Sequence, residues 1–165
     1  EIMPSLVGSE MCIRDRHGSQ PKSGPNGSGA TRVIGELYPF GFGLSYTTFA
    51  YSDLEVSPLR QRTQGEYTVK VNVTNTGKRA GDEVVQLYVR DKVSSVITYD
   101  SQLRGFERIS LKPGETRQVT FSLKPEDLQI LDRNMNWTVE PGEFEVMIGA
   151  SSQDIRLKKT ITALP

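Results

Sequence analysis

Apolar and polar positions alternate most strictly along residues 66–91, EYTVKVNVTNTGKRAGDEVVQLYVRD. The apolar parity holds Tyr67, Val69, Val71 and Val73 in a first run and Val85, Leu87 and Val89 in a second. Alternation with period two is typical of a strand with one buried and one solvated face. The polar link between the runs contains two glycines, which accept positive φ at low cost. The pattern predicts a central strand pair of fixed register, because a one-residue slip would expose every valine.

Further alternating runs predict the other strands. They lie at residues 49–56 with a bend near Ser52 and Asp53, at residues 103–111 with a bulge or close contact at Gly105, and at residues 119–123, 144–148 and 155–161. Residues 92–101 lack the pattern, and we expect them to cross between sheets. Residues 125–131, PEDLQIL, open with proline and two acids and predict a helix of about two turns.

This spacing of strands defines a fold class. About seven short strands, with turn signals roughly every ten residues, indicate an all-β sandwich of the immunoglobulin or fibronectin type III kind. We assign it residues 49–165, preceded by an irregular N-terminal tail. Lys159 falls on the buried parity of the last run, and we expect it at an edge, where a charge discourages aggregation.

The N-terminal tail differs in composition from the rest. Residues 1–16 show neither period, and SLVGSEMCIRDR within them resembles translated sequencing-adapter sequence, so we interpret them as an artefact or a disordered leader. Residues 17–36 are rich in Gly, Ser and Pro and predict a flexible loop. No secretory signal is visible, since the apolar stretch near the start is short and contains Pro4.

Residues 37–48 form an aromatic stretch, LYPFGFGLSYTT, between the loop and the sandwich. Its aromatic side chains offer large areas for burial, and its glycines allow close backbone approach. The candidate docking residues are Tyr38, Pro39, Phe40, Phe42 and Tyr46. Two interpretations remain open and are compatible: a strap over one end of the sandwich, and a junction packed against a neighbouring domain.

The balanced charge and the scarcity of cysteine and histidine argue against several classes of function. Twenty basic and twenty acidic residues balance, which gives no electrostatic case for nucleic acid or an anionic membrane. No apolar run approaches the roughly 18 residues of a membrane-spanning helix. The one cysteine, Cys12, and the one histidine, His17, both lie in the tail, so we expect no disulfide within the chain, no metal site and no cofactor.

The acidic residues are numerous but do not suggest a catalytic pair. They lie in predicted turns or on outward strand positions and are Asp82, Glu83, Asp91, Asp100, Glu107, Asp127, Asp132 and Glu140. Solvated charge is the expected role for such positions. We predict that Trp137 is a core residue of its strand and that Tyr88, on the outward parity, is the better candidate for contact with a partner.

Several motifs together resemble a known family. LYPFGFGLSYTTF, VNVTNTGKRAGDEVVQLYV, LRGFERISLKPGET and WTVEPGEFEVMIGASS resemble the C-terminal region of glycoside hydrolase family 3 enzymes, which include β-glucosidases and β-xylosidases. The resemblance covers residues 37–163. It implies a preceding barrel domain with the aspartate nucleophile and an α/β domain that commonly carries the glutamate acid/base. The resemblance matches residues 37–46 to the junction that leaves the α/β domain, but neither the nucleophile segment nor the acid/base has a counterpart here, so no catalytic residue is carried over.

The resemblance implies an accessory role. The chain would brace a glycosidase that hydrolyses terminal β-linked glucose or xylose, with the barrel and α/β domains as its partners and an oligo- or polysaccharide reached through the whole enzyme. It favours a periplasmic or extracellular location. We expect the purified chain to leave aryl β-glucosides intact. The alternatives are a free-standing carbohydrate-binding module and a structural or adhesion module.

Overall fold

The computed structural model describes residues 38–165. The predictions for residues 1–16, residues 17–36 and Leu37 lie outside this range. The elements of the described part are β1 (Phe49–Ser57), β2 (Arg60–Arg62), β3 (Tyr67–Asn75), β4 (Gly81–Asp91), β5 (Gln102–Leu111), β6 (Thr116–Leu123), α1 (Pro125–Leu128), β7 (Ile130–Leu131), β8 (Trp137–Thr138), β9 (Gly142–Gly149) and β10 (Ile155–Leu164).

Two sheets face each other across one core. Three strands in the order β1-β3-β6 form an antiparallel sheet, and five in the order β2-β10-β9-β4-β5 form the other. The short strand β2 runs parallel to β10, whereas the remaining neighbours are antiparallel. Strands β7 and β8 pair in a separate ribbon. The predicted all-β sandwich is confirmed.

The core is formed by the side chains on the apolar parity of each strand, as the sequence pattern predicted. Its fully buried aliphatic and aromatic members include Tyr67, Val69, Val71, Val73, Leu87, Leu123, Phe144, Ile148 and Ile161. Burial of each such side chain contributes about 1.5–3 kcal/mol relative to leaving it in water. This shared interior holds the two sheets together and supports the outer surfaces.

The predicted pairing of the two central runs is wrong. Strand β3 pairs with β1 and β6, whereas β4 pairs with β5 and β9 in the opposite sheet. Their valines still face each other, but across the core rather than along a hydrogen-bonded ladder. Alternation shows which face of a strand is buried and carries no information about its neighbour.

Buried Asn75, the last residue of β3, holds the connection from β3 to β4 in place through its side-chain hydrogen bonds. Its side-chain Nδ2 donates to Arg79 O at 2.8 Å and to Leu111 O at 3.0 Å. Its Oδ1 accepts from Thr47 Oγ1 at 2.7 Å and from Gly77 N at 3.0 Å. All four hydrogen-bonding positions of the amide are used, which makes this polar group tolerable inside the core.

Two other connections differ from expectation. Residues 92–101 join β4 to β5, which are neighbours in one sheet, so the predicted crossover between sheets is wrong. The predicted two-turn helix ends after a single turn at Leu128, and Ile130 already belongs to β7. The pairing of Ile130 with Thr138 competes successfully with continuation of the helix.

The predicted irregularities of the strands are confirmed. The β1–β3 register shifts between Ser52 and Glu55, where Asp53 has φ 53°. The β4–β5 register shifts beside Gly105, and a Cβ there would lie 3.1 Å from Phe121. Lys159 lies on the part of β10 that β2 does not cover, and its Nζ donates to Leu54 O at 3.5 Å.

Candidate functional site

The aromatic segment, residues 38–48, begins with a tight turn. The Phe42 N–H donates to Pro39 O at 3.0 Å, and Gly41 has φ 78°. A positive φ at the third position is the mark of a type II turn, in which glycine is the residue of lowest cost. The turn places the rings of Tyr38 and Phe42 together, with centroids 5.4 Å apart and planes at 30°.

This turn is fastened to the outer face of β4 by its backbone. Gln86 Nε2 donates to Gly41 O at 2.9 Å and to Ala150 O at 2.7 Å. The Ser152 N–H donates to Phe40 O at 2.9 Å. A Cβ on Gly41 would lie 2.0 Å from Gln86 Oε1, so the contact needs a glycine. The attachment therefore depends on the main chain of the segment, not on its rings.

The expectation that Tyr88 faces solvent is wrong. Tyr88 is 1% exposed, and its hydroxyl donates to Gln86 Oε1 at 2.5 Å. Burial raises the pKa of Tyr88 to about 12. A Cβ on Gly41 would lie 2.9 Å from the Tyr88 hydroxyl, so the turn at Gly41 lies directly over this tyrosine. The outward parity of β4 is therefore buried at Gln86 and Tyr88, where a segment distant in sequence covers it.

The rings of the aromatic segment remain largely in solvent. Tyr38 is 65% exposed, Phe42 46% and Tyr46 95%. Phe106, on the outer side of β5 opposite Gln86, is 68% exposed. Several large apolar side chains in one region exceed what isolated surface residues require, and such patches mark interaction surfaces. We call Tyr38, Phe40, Phe42 and Phe106 the aromatic patch.

A groove of about 610 Å³ runs between the aromatic segment and the five-stranded sheet. Phe40, Phe42 and Phe106 line it, whereas Tyr38 and Pro39 support it from the turn. Tyr46 is almost fully exposed and does not line the groove. The structure thus brings four of the five candidate docking residues into one region and leaves Tyr46 apart.

The polar end of this groove joins the two sheets. The Tyr51 hydroxyl of β1 donates to Glu83 Oε1 of β4 at 2.7 Å. Burial raises the pKa of both Tyr51 and Glu83, and the bond from Tyr51 partly opposes the rise at Glu83. Arg156 Nε pairs with Asp154 Oδ1 at 2.6 Å on the same wall. The expectation that Glu83 is an ordinary solvated carboxylate is therefore wrong.

Trp137 is not a core residue, contrary to prediction. Its side chain is 67% exposed, and it belongs to the two-residue strand β8, which pairs only with Leu131 and Ile130 of β7. Neither large sheet pairs with this ribbon. The alternation around Trp137 resembles that of a core strand, but the run is too short to join the sandwich.

Residues 38–165 also bear on two further classes of site, metal centres and membrane spans. No group of three or more His, Cys, Asp or Glu side chains there is arranged to hold a metal ion. No helix in that part of the chain is long and apolar enough to cross a membrane.

Sequence reasoning missed two contributors to the site and the partner of a third. Gln86 appeared as an outward polar residue and Phe106 as an unremarked strand residue, whereas the close backbone approach expected of the glycines is confirmed at Gly41 without its partner having been predicted. The Gly41–Gln86 contact joins residues 45 positions apart, which no local pattern indicates. A glutamine between Val85 and Leu87 gives no signal of its own.

Comparison with known proteins agrees with this architecture. Residues 83–152 match the family model described as a fibronectin type III-like domain. The chain is 52% identical over 122 residues to a β-xylosidase of Formosa agariphila and 45% identical over 127 residues to the β-glucosidase BoGH3A of Bacteroides ovatus. These matches cover 74% and 76% of the chain but only 17% of each of those proteins.

A solved structure extends the similarity to the fold. The β-glucosidase EmGH1 of Erythrobacter marinus superposes with a TM-score of 0.76 at 39% identity, over 88% of this chain and 19% of that one. The fold is therefore that of a fibronectin type III-like domain. The chain belongs to the fibronectin type III-like domains of glycoside hydrolase family 3 β-glucosidases and β-xylosidases. It spans about a sixth of the length of those two relatives.

Proposed function

We propose that this domain is the non-catalytic brace of a glycosidase that removes terminal β-linked glucose or xylose, and that its aromatic patch docks onto the catalytic part of that polypeptide. Two relatives carry the names β-xylosidase and β-glucosidase, and each is far longer than this chain. The proposal assigns the chemistry to the remaining length and gives this domain a packing role. Residues 37–48 act as the junction and residues 49–165 as the accessory domain.

The main support for the proposal is that the backbone and the rings of the aromatic segment have different roles. Its backbone is fixed to β4 through Gly41, while the rings of Tyr38 and Phe42 stay 65% and 46% exposed. A segment held rigidly with its apolar side chains outward loses little conformational entropy when a partner covers it. That is the arrangement expected of a preorganised interface between domains.

A chimera tests the docking. The segment of the Formosa agariphila β-xylosidase that aligns with this chain is replaced by residues 38–165, and Phe42→Ser is introduced. Because Phe42 is 46% exposed here, the change costs the isolated chain little, but it removes apolar contact from a covered interface. We expect the chimera's melting temperature to fall by several degrees and that of the isolated chain to fall by less.

Leu59→Ser is the matched control. Leu59 is 48% exposed and does not line the groove, so it removes similar apolar area from another surface. The proposal fails if both substitutions lower the melting temperature of the chimera equally, or if neither affects it. Hydrolysis of an aryl β-xyloside by the chimera confirms in the same samples that the catalytic part is folded.

A further inference from the structure

A second groove, of about 490 Å³, lies on another part of the domain. Loop residues 96–99, the start of β5, the end of α1 and the β7–β8 ribbon form its walls. It shares no lining residue with the groove beside the aromatic segment. Its volume falls within the range of about 300–1,000 Å³ typical of small-ligand clefts.

Exposed rings form the apolar part of this second groove. Trp137 is 67% exposed, Tyr99 is 50% exposed, and the neighbouring Ile97 lies fully in solvent. Neither ring belongs to a strand of the two large sheets, because Tyr99 lies in the β4–β5 loop and Trp137 in the ribbon. A flat indole or phenol face offers stacking area at low entropic cost, since its side chain has two rotatable bonds.

The lining also contains uncharged hydrogen-bonding groups. Gln102, Gln129 and Thr98 each offer both donors and acceptors. Arg104 Nη2 donates to Gln102 Oε1, and Arg104 Nε is buried without a hydrogen-bond partner within the described part of the chain. The groove contains one cationic side chain, Arg104, and one anionic side chain, Glu126, so its charges balance.

We propose that this second groove binds a neutral oligosaccharide, with a sugar ring against Trp137 and its hydroxyls bonded to Gln102 and Gln129. A pyranose presents an apolar face of C–H groups and an edge of vicinal hydroxyls that both donate and accept. Rings beside amides match that pattern, whereas balanced charge gives no attraction for a polyanion. The proposal is independent of docking by the aromatic patch, because the two surfaces share no residue.

Trp137 is the only tryptophan of the chain, so its fluorescence reports on this groove alone. The full chain is titrated with xylotetraose, cellotetraose and the monomers xylose and glucose. We expect a saturable change in emission with a tetrasaccharide, with a dissociation constant of about 1 mM or below, and binding of the monomers at least about tenfold weaker. No saturable change up to roughly 20 mM tetrasaccharide overturns the proposal.

Gln129→Ala is the test variant and Gln118→Ala its control, since Gln118 is an exposed glutamine of β6 outside the groove. We expect Gln129→Ala to weaken binding by about tenfold and Gln118→Ala to leave it unchanged. Equal affinity in the two variants contradicts the assignment. Amide shifts of the native chain give a second measurement: changes at residues 96–104 and 126–138 support the site, and changes at the aromatic segment overturn it.

Discussion

Single residues decide whether the aromatic segment stays attached to the sheet. Gly41 combines a φ of 78° with contacts that leave no room for a Cβ. Gln86 donates both of its side-chain amide hydrogens to the carbonyls of Gly41 and Ala150. The Tyr88 hydroxyl completes this hydrogen-bond network by donating to the side-chain oxygen of Gln86. Because each member of this network satisfies the next, loss of one leaves buried polar groups unpaired.

Gly41→Ala tests this network. The added methyl group meets Gln86 and also strains a left-handed backbone, which costs of the order of 1–3 kcal/mol. We expect the amide hydrogens of Phe42 and Ser152 to exchange about tenfold faster or more, while exchange at Val71 in the core stays unchanged.

Gly43→Ala is the control for this change. Gly43 has open space around it and is not among the glycines with positive φ. We expect exchange at Phe42 and Ser152 to be unaltered in this variant. Equal acceleration in both variants would show that the segment is held by something other than the fit at Gly41.

Individual strands were predictable from the sequence, but their neighbours were not. Val71 and Leu87 were assigned correctly to the interior because a period of two reports the buried face of a strand. The sheet to which each strand belongs depends on contacts across the whole chain, and the predicted β3–β4 pair was wrong for that reason. The predictions for Tyr88 and Trp137 were wrong in opposite directions: a segment distant in sequence covers Tyr88, whereas Trp137 lies in a short ribbon and is 67% exposed.

Strands β1 and β4 meet at a carboxylate whose ionisation opposes folding. Burial raises the pKa of Glu83 above its ordinary 4.5, so the folded chain binds this proton more tightly than the unfolded chain does. The resulting stability is fully present below the unfolded pKa and is lost as the pH rises through the folded pKa. Next to it, bonds from Ser110 and Arg108 lower the pKa of Asp82, which gives the reverse dependence.

Glu83→Gln and Asp82→Asn therefore form a matched pair. Glutamine keeps an acceptor for the Tyr51 hydroxyl but cannot ionise. We expect Glu83→Gln to gain stability relative to the native chain as the pH rises from about 4 to 8. Asp82→Asn should be less stable than the native chain at neutral pH, and its deficit should shrink as the pH falls below about 4.

Urea unfolding at a series of pH values measures both differences. A stability difference from the native chain that changes with pH in the same direction in both variants would contradict the assignment of Glu83 to a buried interface between the sheets. A Glu83→Gln curve that is flat with pH would contradict it equally.

On the scale of the whole molecule, the domain presents two surfaces with different chemistry. The aromatic patch is apolar and is fastened from behind by Gln86, as suits a permanent interface. The second groove combines the Trp137 ring with side-chain amides, which suits a soluble ligand that binds reversibly. The family assignment and most of the aromatic docking residues were accessible from the sequence, whereas Phe106 and the second groove were not, because these depend on which side chains the fold leaves uncovered.

We propose that this domain serves a longer glycosidase, and sequencing the genomic locus upstream of the codon for His17 is the sharpest test of that role. We predict a continuous reading frame that encodes a barrel domain and an α/β domain and runs into the aromatic segment. A stop codon followed by a start codon near Glu1 would contradict the account and make the domain an independent protein.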